Sequence, residues 1–499
     1  ILGGSPGGSD TLIINDVAGA ADNIAVEPSS TRTNGTVLVN ALVANYAGVE
    51  HLIINGSGDA GDAFAVNDLT LGDSTWNVSA GPNGDLVQIG DRESIEYDGF
   101  DDVSLNNLAL SSDLFRVAAT TLSGFNNSFT VNGDGNDKLE LLGTNNADTF
   151  AQTAANQFTV NGVAVDFNGV STLQLTGGDG VDTVTADISI LAGGVTNLAV
   201  VGDEASASGG LPGDTLNVTV GGSARVTQST DAGSGTVDQA GAVTVNYTTL
   251  ESLNIFSVAA GSTLTVRGTN GADNISVTGV AGSNDQVRVW INSGTVMTAN
   301  AVGAANFATV DVQGRFGDDL FSVSPVVNVA LQIEGNDPTA SDKTVINVTN
   351  DTIFAPTSSS DARVTVAGFA PITLVTMEGV TIGGGDAGVN LTIQTPVGVH
   401  TTTLTPGTTA DSGSAQVESY MPMDFTNLGA GSIIMDDADS AANNDPFADD
   451  LLIYQGTNND DVFFIFSNTG LVQLNAQIPV FAGDVRFLQT RGGNGSDFF

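Results

Sequence analysis

The chain contains no cysteine, which excludes a disulfide framework and thiolate metal sites. It has two histidines, His51 and His400, far apart and with no nucleophile or second ligand near either in sequence. Zinc centres and Ser-His-Asp triads therefore have almost no material to work with. Basic residues are as scarce: 12 of 499, with Lys138 and Lys343 the only lysines and ten arginines scattered singly. A surface so short of base repels nucleic acid and anionic membranes. No apolar run approaches the roughly 20 residues of a membrane helix. Aromatic platforms for sugars are thin too, with Trp76, Trp290 and five tyrosines.

What is present is acid, glycine and short alternating runs. The net charge of −44 comes from 56 acidic residues, 46 of them Asp and 10 Glu. Asp is a turn former and a hard-cation ligand, whereas Glu favours helices, so the acid belongs in turns between strands. A solubilising or salt-adapted surface accounts for the charge as readily as cation binding does. The 62 glycines lack a three-residue period, which excludes collagen, and 41% hydrophobic content with 23 Phe is too much for a disordered chain. Runs such as "HLIING" (51–56), "SFTVNG" (128–133), "TLNVTV" (215–220), "TLTVRG" (263–268) and "ALQIEG" (330–335) alternate at period two and read as half-buried strands.

Internal repetition is the strongest signal. Three units open on Gly-Thr-Asn, at Gly143, Gly268 and Gly456, and close on a Gly-rich turn with Asp. Within them recurs Asp, any residue, then a large apolar residue: Asp22/Ile24, Asp62/Phe64, Asp137/Leu139, Asp148/Phe150 and Asp182/Val184. The series continues at Asp214/Leu216, Asp273/Ile275, Asp319/Phe321, Asp461/Phe463 and Asp497/Phe499. Glycine supplies the left-handed turn, Asp binds the turn amides, and the apolar residue opens the next inward position. Units of this kind point to an all-β fold, an elongated right-handed parallel β-helix or β-solenoid-like repeat array. A string of tandem β-sandwich modules is the alternative.

"GGDGVDTVT" (177–185) resembles the hemolysin-type, or RTX, calcium repeat G-G-x-G-x-D-x-U-x at every specified position. "GGNGSDFF" (492–499) follows it as far as it runs, while "NGDGNDKLE" (132–140) and "GRFGDDLFS" (314–322) each miss one glycine. The resemblance implies calcium held between stacked coils, with Asp134, Asp137, Asp179, Asp182, Asp318, Asp319 and Asp497 at the matching ligand positions. The motifs stand singly, not in tandem, so calcium requires that the coils bring these turns together. Turn carboxylates that bind only backbone amides need no metal. More loosely, the Gly/Asp-rich patterning is similar to large surface repeat proteins of planctomycete-like bacteria. The acidic stretch 435–450 offers oxygen donors at Asp437, Asp439, Asn443 and Asp445 but lacks the central Gly and closing Glu of an EF-hand loop.

Composition shifts suggest segments 1–120, 121–205, 206–260, 261–355, 356–430 and 431–499. The run 492–499 stops inside a motif and 1–12 begins in one, so the sequence expects a section of a longer array or ends that dock on copies. The expected function is structural and not enzymatic: a secreted, extracellular or cell-surface fibre or layer subunit, stacking on itself or on other segments of the same chain, with calcium as the expected ion. The competing readings are the stalk of a calcium-dependent adhesin that contacts cell-surface glycans and a polysaccharide-active β-helix enzyme. No nucleic acid or membrane insertion is expected. About eleven Asn-x-Ser/Thr sequons, among them Asn34, Asn55, Asn217, Asn274 and Asn347, match what the composition provides by chance.

Overall fold

The computed structural model describes residues 1–4, 9–202, 213–292, 294–301, 307–336, 341–438 and 450–499. The described residues form an all-β fold of short strands, with one 3-10 turn at Ala119–Thr121. The chain makes two compact units, Ile1–Gly221 with Asp231–Ile255, and Gly222–Thr230 with Phe256–Phe499. The exchange between them falls inside the segment 206–260 that composition sets apart.

Both units are built on parallel ladders, the repeat pairing expected of a β-solenoid-like array. Because side chains alternate across a strand, parallel pairing in constant register stacks identical positions into rows. In the first unit one inward row runs Trp76, Phe115, Leu139, Leu173, Leu198, Val245. The row two residues further along runs Val78, Val117, Leu141, Leu175, Val200, Tyr247, and all twelve side chains are buried. In the second unit Val226, Val266, Val312, Ile333 and Leu374 make the equivalent row. A neighbouring row holds Val277, Val323, Ile346, Ile382 and Phe425. Burying such a side chain is worth about 1.5–3 kcal/mol, so each row is a column of the core. The period-two runs of the sequence are these columns read one coil at a time.

Antiparallel meanders interrupt the coils. Strands Thr149–Ala154, Gln157–Val160 and Val163–Thr176 fold back on one another. In the second unit, Asn274–Gly279, Val287–Ile291 and Val296–Ala301 do the same. Hairpin insertions explain much of the irregular sequence spacing, and local register shifts occur between Phe100 and Asp102, between Asn132 and Lys138 and between Ser262 and Thr263.

Outward faces carry polar rows. Asn67, Asn106, Asn132 and Asn168 form a ladder in which each amide donates to the Oδ1 of the preceding Asn, at 2.8, 2.8 and 3.1 Å. Asn is otherwise a poor strand residue. Here the stacked amides satisfy one another, as parallel in-register pairing allows.

Candidate functional site: a carboxylate ladder along the turns

Most of the Asp residues that open the strands are buried, with Asp22 and Asp497 half-buried, and they are joined to one another. Asp148 donates its backbone N–H to Asp182 Oδ1 at 2.7 Å, and Asp182 donates to Asp214 Oδ1 at 2.7 Å. Asp214 in turn donates to Glu251 Oε2 at 2.7 Å. The second unit repeats the series: Asp273 to Asp319 Oδ1 at 2.7 Å, Asp319 to Asp342 Oδ1 at 2.8 Å, Asp342 to Glu378 Oε2 at 2.7 Å. Shorter runs link Asp22 to Asp62, Asp113 to Asp137, and Asp461 to Asp497. Each coil thus supplies the acceptor for a turn amide of the coil before it. A hydrogen bond from a backbone amide to an ionised carboxylate contributes about 1.5–3 kcal/mol.

The rung that heads each series is saturated. Asp148 Oδ2 accepts from Thr144 N at 2.6 Å and Thr144 Oγ1 at 3.0 Å, and its Oδ1 accepts from Asn161 Nδ2. Asp273 takes the amide and hydroxyl of Thr269 and, at 2.7 Å, Asn292 Nδ2. Asp461 takes those of Thr457 and Asn475 Nδ2 at 2.7 Å. The Gly-Thr-Asn opening of the repeat is therefore a cap: its Thr binds the Asp four residues on. The capping Asn sits at the end of the hairpin, returning to the head of its coil with a left-handed backbone. Asn161, Asn292 and Asn475 have φ of 50°, 53° and 46°, and Asn40, which binds Asp22, has 52°. Asn is among the few residues with a side chain that tolerate this region.

The second rung differs. Its turn reads Gly177–Asp182 or Gly314–Asp319, with no Thr. Asp182 and Asp319 are 2% and 1% exposed, and the Oδ2 of each has no hydrogen-bond partner. That oxygen lies against the glycine that opens the turn: a Cβ on Gly177 or Gly314 would collide with it. The same holds for Gly492 and Asp497 Oδ2. Glycine is thus required here for space, not for a left-handed backbone. Burial pushes the Asp182 carboxyl up to about 6, against the Asp148 amide bond and with help from the Asp148 charge. Asp319 is pushed up to about 7, by burial first and then by the charges of Asp342, Asp273 and Asp318.

The residues expected to ligate calcium fall into this scheme. Asp137 accepts from Asp113 N at 2.7 Å, Asp134 N at 2.8 Å and Asn107 Nδ2 at 3.1 Å, and burial raises its carboxyl. Asp134 accepts from Ser111 N and Asn136 N, both near 3 Å. Asp318 Oδ1 accepts from Ser341 N at 3.0 Å, and Asp497 Oδ1 from Asp461 N at 3.1 Å. Asp179 is exposed. Among the described residues no group of three or more His, Asp or Glu converges as a metal site requires. Asp137, Asp182, Asp319 and Asp497 each hold a ladder amide through Oδ1. Of the acidic stretch, Asp437 is buried, while Asp439, Asn443 and Asp445 lie outside the described residues.

The histidines, isolated in sequence, have acidic neighbours in space. His51 Nδ1 lies 2.5 Å from Ser94 Oγ, its Nε2 is 3.5 Å from Glu96, and Ser94 is its direct partner across the parallel pair. Ser94 N donates to Glu50 O and His51 N to Asp10 O, so their amides are not free to hold an oxyanion. His400 faces Glu418 at 3.5 Å. One carboxylate pair also lies on an outward row: Gln313 Nε2 donates to Asp311 Oδ2 at 2.8 Å and Glu334 Oε2 at 3.0 Å. Burial and the Glu334 charge push Asp311 up to about 6. Its Oδ1 is sealed from solvent and has no hydrogen-bond partner.

No family model matches this chain, and a search among curated proteins finds no match. Among the described residues no helix is long and apolar enough to cross a membrane.

Proposed function

We propose that the protein is a structural repeat scaffold: a secreted subunit of an extracellular fibre or surface layer, built by stacking β-coils. The carboxylate ladder carries this reading, because each coil supplies the acceptor that the turn of its neighbour requires. A coil of this design is incomplete alone and complete in a stack. Saturated Thr- and Asn-capped rungs, in-register apolar columns and an asparagine ladder all serve repetition. The partners are further coils, from copies of the chain or from the same long polypeptide, and no catalytic role is assigned.

Electron microscopy of the purified chain, with and without EDTA, tests the proposal. Ordered filaments or sheets that survive chelation support a ladder held by amide–carboxylate bonds. A dispersed monomer that binds glycans would replace the scaffold with an adhesin stalk. Assemblies that dissolve or melt on chelation would restore calcium as their cement.

A further inference from the structure

The two tryptophans of the chain are placed in opposite ways. Trp76 is buried and donates Nε1 to Asp113 Oδ2 at 3.0 Å. Trp290 lies on the strand Val287–Ile291, where Val287, Val289 and Ile291 point into the core and Arg288 and Trp290 point out. Its ring is half-buried, and among the described residues its indole N–H has no acceptor. Ser276 stands opposite Trp290 and Thr278 opposite Arg288 across the antiparallel pair, and Ser322 lies beyond Ser276 across the parallel one. On the other side of the ring Val296 is the neighbour, next to Met297, which pairs with Val289. Strands about 4.8 Å apart and like-facing residues about 7 Å apart make this a flat shelf about 10 Å wide. Arg288 is exposed and makes no ion pair or hydrogen bond among the described residues, in a chain with 56 acidic residues. The acid nearest to it in sequence, Asp285, accepts instead from Asn328 Nδ2 at 2.8 Å.

Trp and Arg are among the residue types most enriched where binding energy concentrates. A protein partner needs an apolar core around such an anchor, but here the ring and the guanidinium are bordered chiefly by hydroxyls. The ligand that complements them has one flat apolar face and a polar edge. A pyranose ring has that form: its C–H face covers an indole while its hydroxyls meet Ser276, Thr278 and the indole N–H. The unpaired guanidinium adds a demand for negative charge, which a carboxylate on the sugar meets with two parallel hydrogen bonds. The net charge of −44 does not forbid this, because charges more than about 8 Å away are screened at physiological salt. We infer that the outward face around Trp290 and Arg288 is a binding site for an acidic polysaccharide, one that carries uronate sugars. Trp290 is its stacking platform and Arg288 its carboxylate anchor. The site goes beyond the scaffold reading, since it gives the array something to hold besides further coils, and it does not depend on assembly.

Calorimetry and tryptophan fluorescence of the full chain test this, with an oligogalacturonate, a neutral cello-oligosaccharide and a short single-stranded oligonucleotide as probes. Trp76 is sealed in the core, so a fluorescence change on binding reports Trp290. The oligogalacturonate should bind, change the fluorescence and weaken as sodium chloride is added. Trp290→Ala should weaken binding on the order of 30-fold, and Arg288→Gln about tenfold with loss of the salt dependence. Trp290→Phe keeps an aromatic face and should stay within about threefold of wild type. No binding of the oligogalacturonate, or binding that Trp290→Ala leaves unchanged, overturns the inference. Equal binding of the neutral oligosaccharide overturns it as well, and so does tighter binding of the oligonucleotide, which would assign the face to phosphate. Should Trp290→Ala fail to fold, Arg288→Gln decides, and unchanged affinity in that variant overturns the site. Electron microscopy of the same samples keeps the two readings apart. Bound glycan without filaments leaves the site standing and removes the scaffold, and filaments without bound glycan do the reverse.

Discussion

Two turns 34 residues apart in the same series solve the same problem in opposite ways. The turn ending at Asp148 surrounds its carboxylate with a threonine amide, a threonine hydroxyl and an asparagine amide. Both turns open on a glycine that lets the carboxylate pack close, but the turn ending at Asp182 has no threonine and leaves Oδ2 unbonded. The second unit makes the same pair of choices at Asp273 and Asp319. The turn that best matches the calcium repeat thus leaves Oδ2 of its carboxylate without a hydrogen bond. Gly-Thr-Asn turns surround the carboxylate with donors, and the Gly-rich turns leave its second oxygen without one.

The largest effect expected from breaking this contrast is at a saturated rung. Asp273→Ala strands the half-buried Thr269 amide and the Asn292 side chain, and should cost about 4 kcal/mol in urea unfolding. Filling the space of the open rung comes next. Gly314→Ala drives a methyl group into Asp319 Oδ2 and should cost about 3 kcal/mol, whereas Gly222→Ala, with nothing within 4 Å, should stay within about 0.5 kcal/mol. Equal losses at the two glycines would show that close packing is not what selects glycine in the motif.

Asn292→Ala removes the amide that binds Asp273 and leaves an unfavourable left-handed backbone, for an expected loss of about 2 kcal/mol. Replacement by Gly at the same site should recover the backbone part, which separates the two contributions. The smallest effect belongs to the cap hydroxyl. Thr269→Val keeps the shape but loses the hydroxyl's bond to Asp273 and its acceptance of the Gly271 amide, costing about 1 kcal/mol by thermal unfolding.

Much of the fold was legible in residue patterns. Alternating runs such as 215–220 and 263–268 are strands, and Asp followed two residues later by a large apolar side chain marks a turn entering a strand at Asp148, Asp182, Asp273 and Asp319 alike. The metal expectation came from those same Asp residues, because turn carboxylates and calcium ligands look alike in a sequence. Three kinds of ladder member escaped notice. Asp342 follows a turn without the glycine motif, Glu251 and Glu378 reach the ladder through a longer side chain, and the capping asparagines lie 13 to 19 residues from the Asp they bind. A recurrent Asn at the end of each hairpin was the available signal, and it becomes meaningful only once the hairpin is known to return.

By itself the sequence determined that the chain is all-β, that it repeats, and that its acid gathers in turns, since these follow from local propensity and period. Only the tertiary structure decided what the acid does there. Stacking brings each carboxylate within hydrogen-bonding reach of an amide tens of residues away, and that contact is set by register between coils, not by any local motif. The asparagine that completes a saturated rung also arrives from a hairpin 13 to 19 residues away, so local sequence does not reveal it.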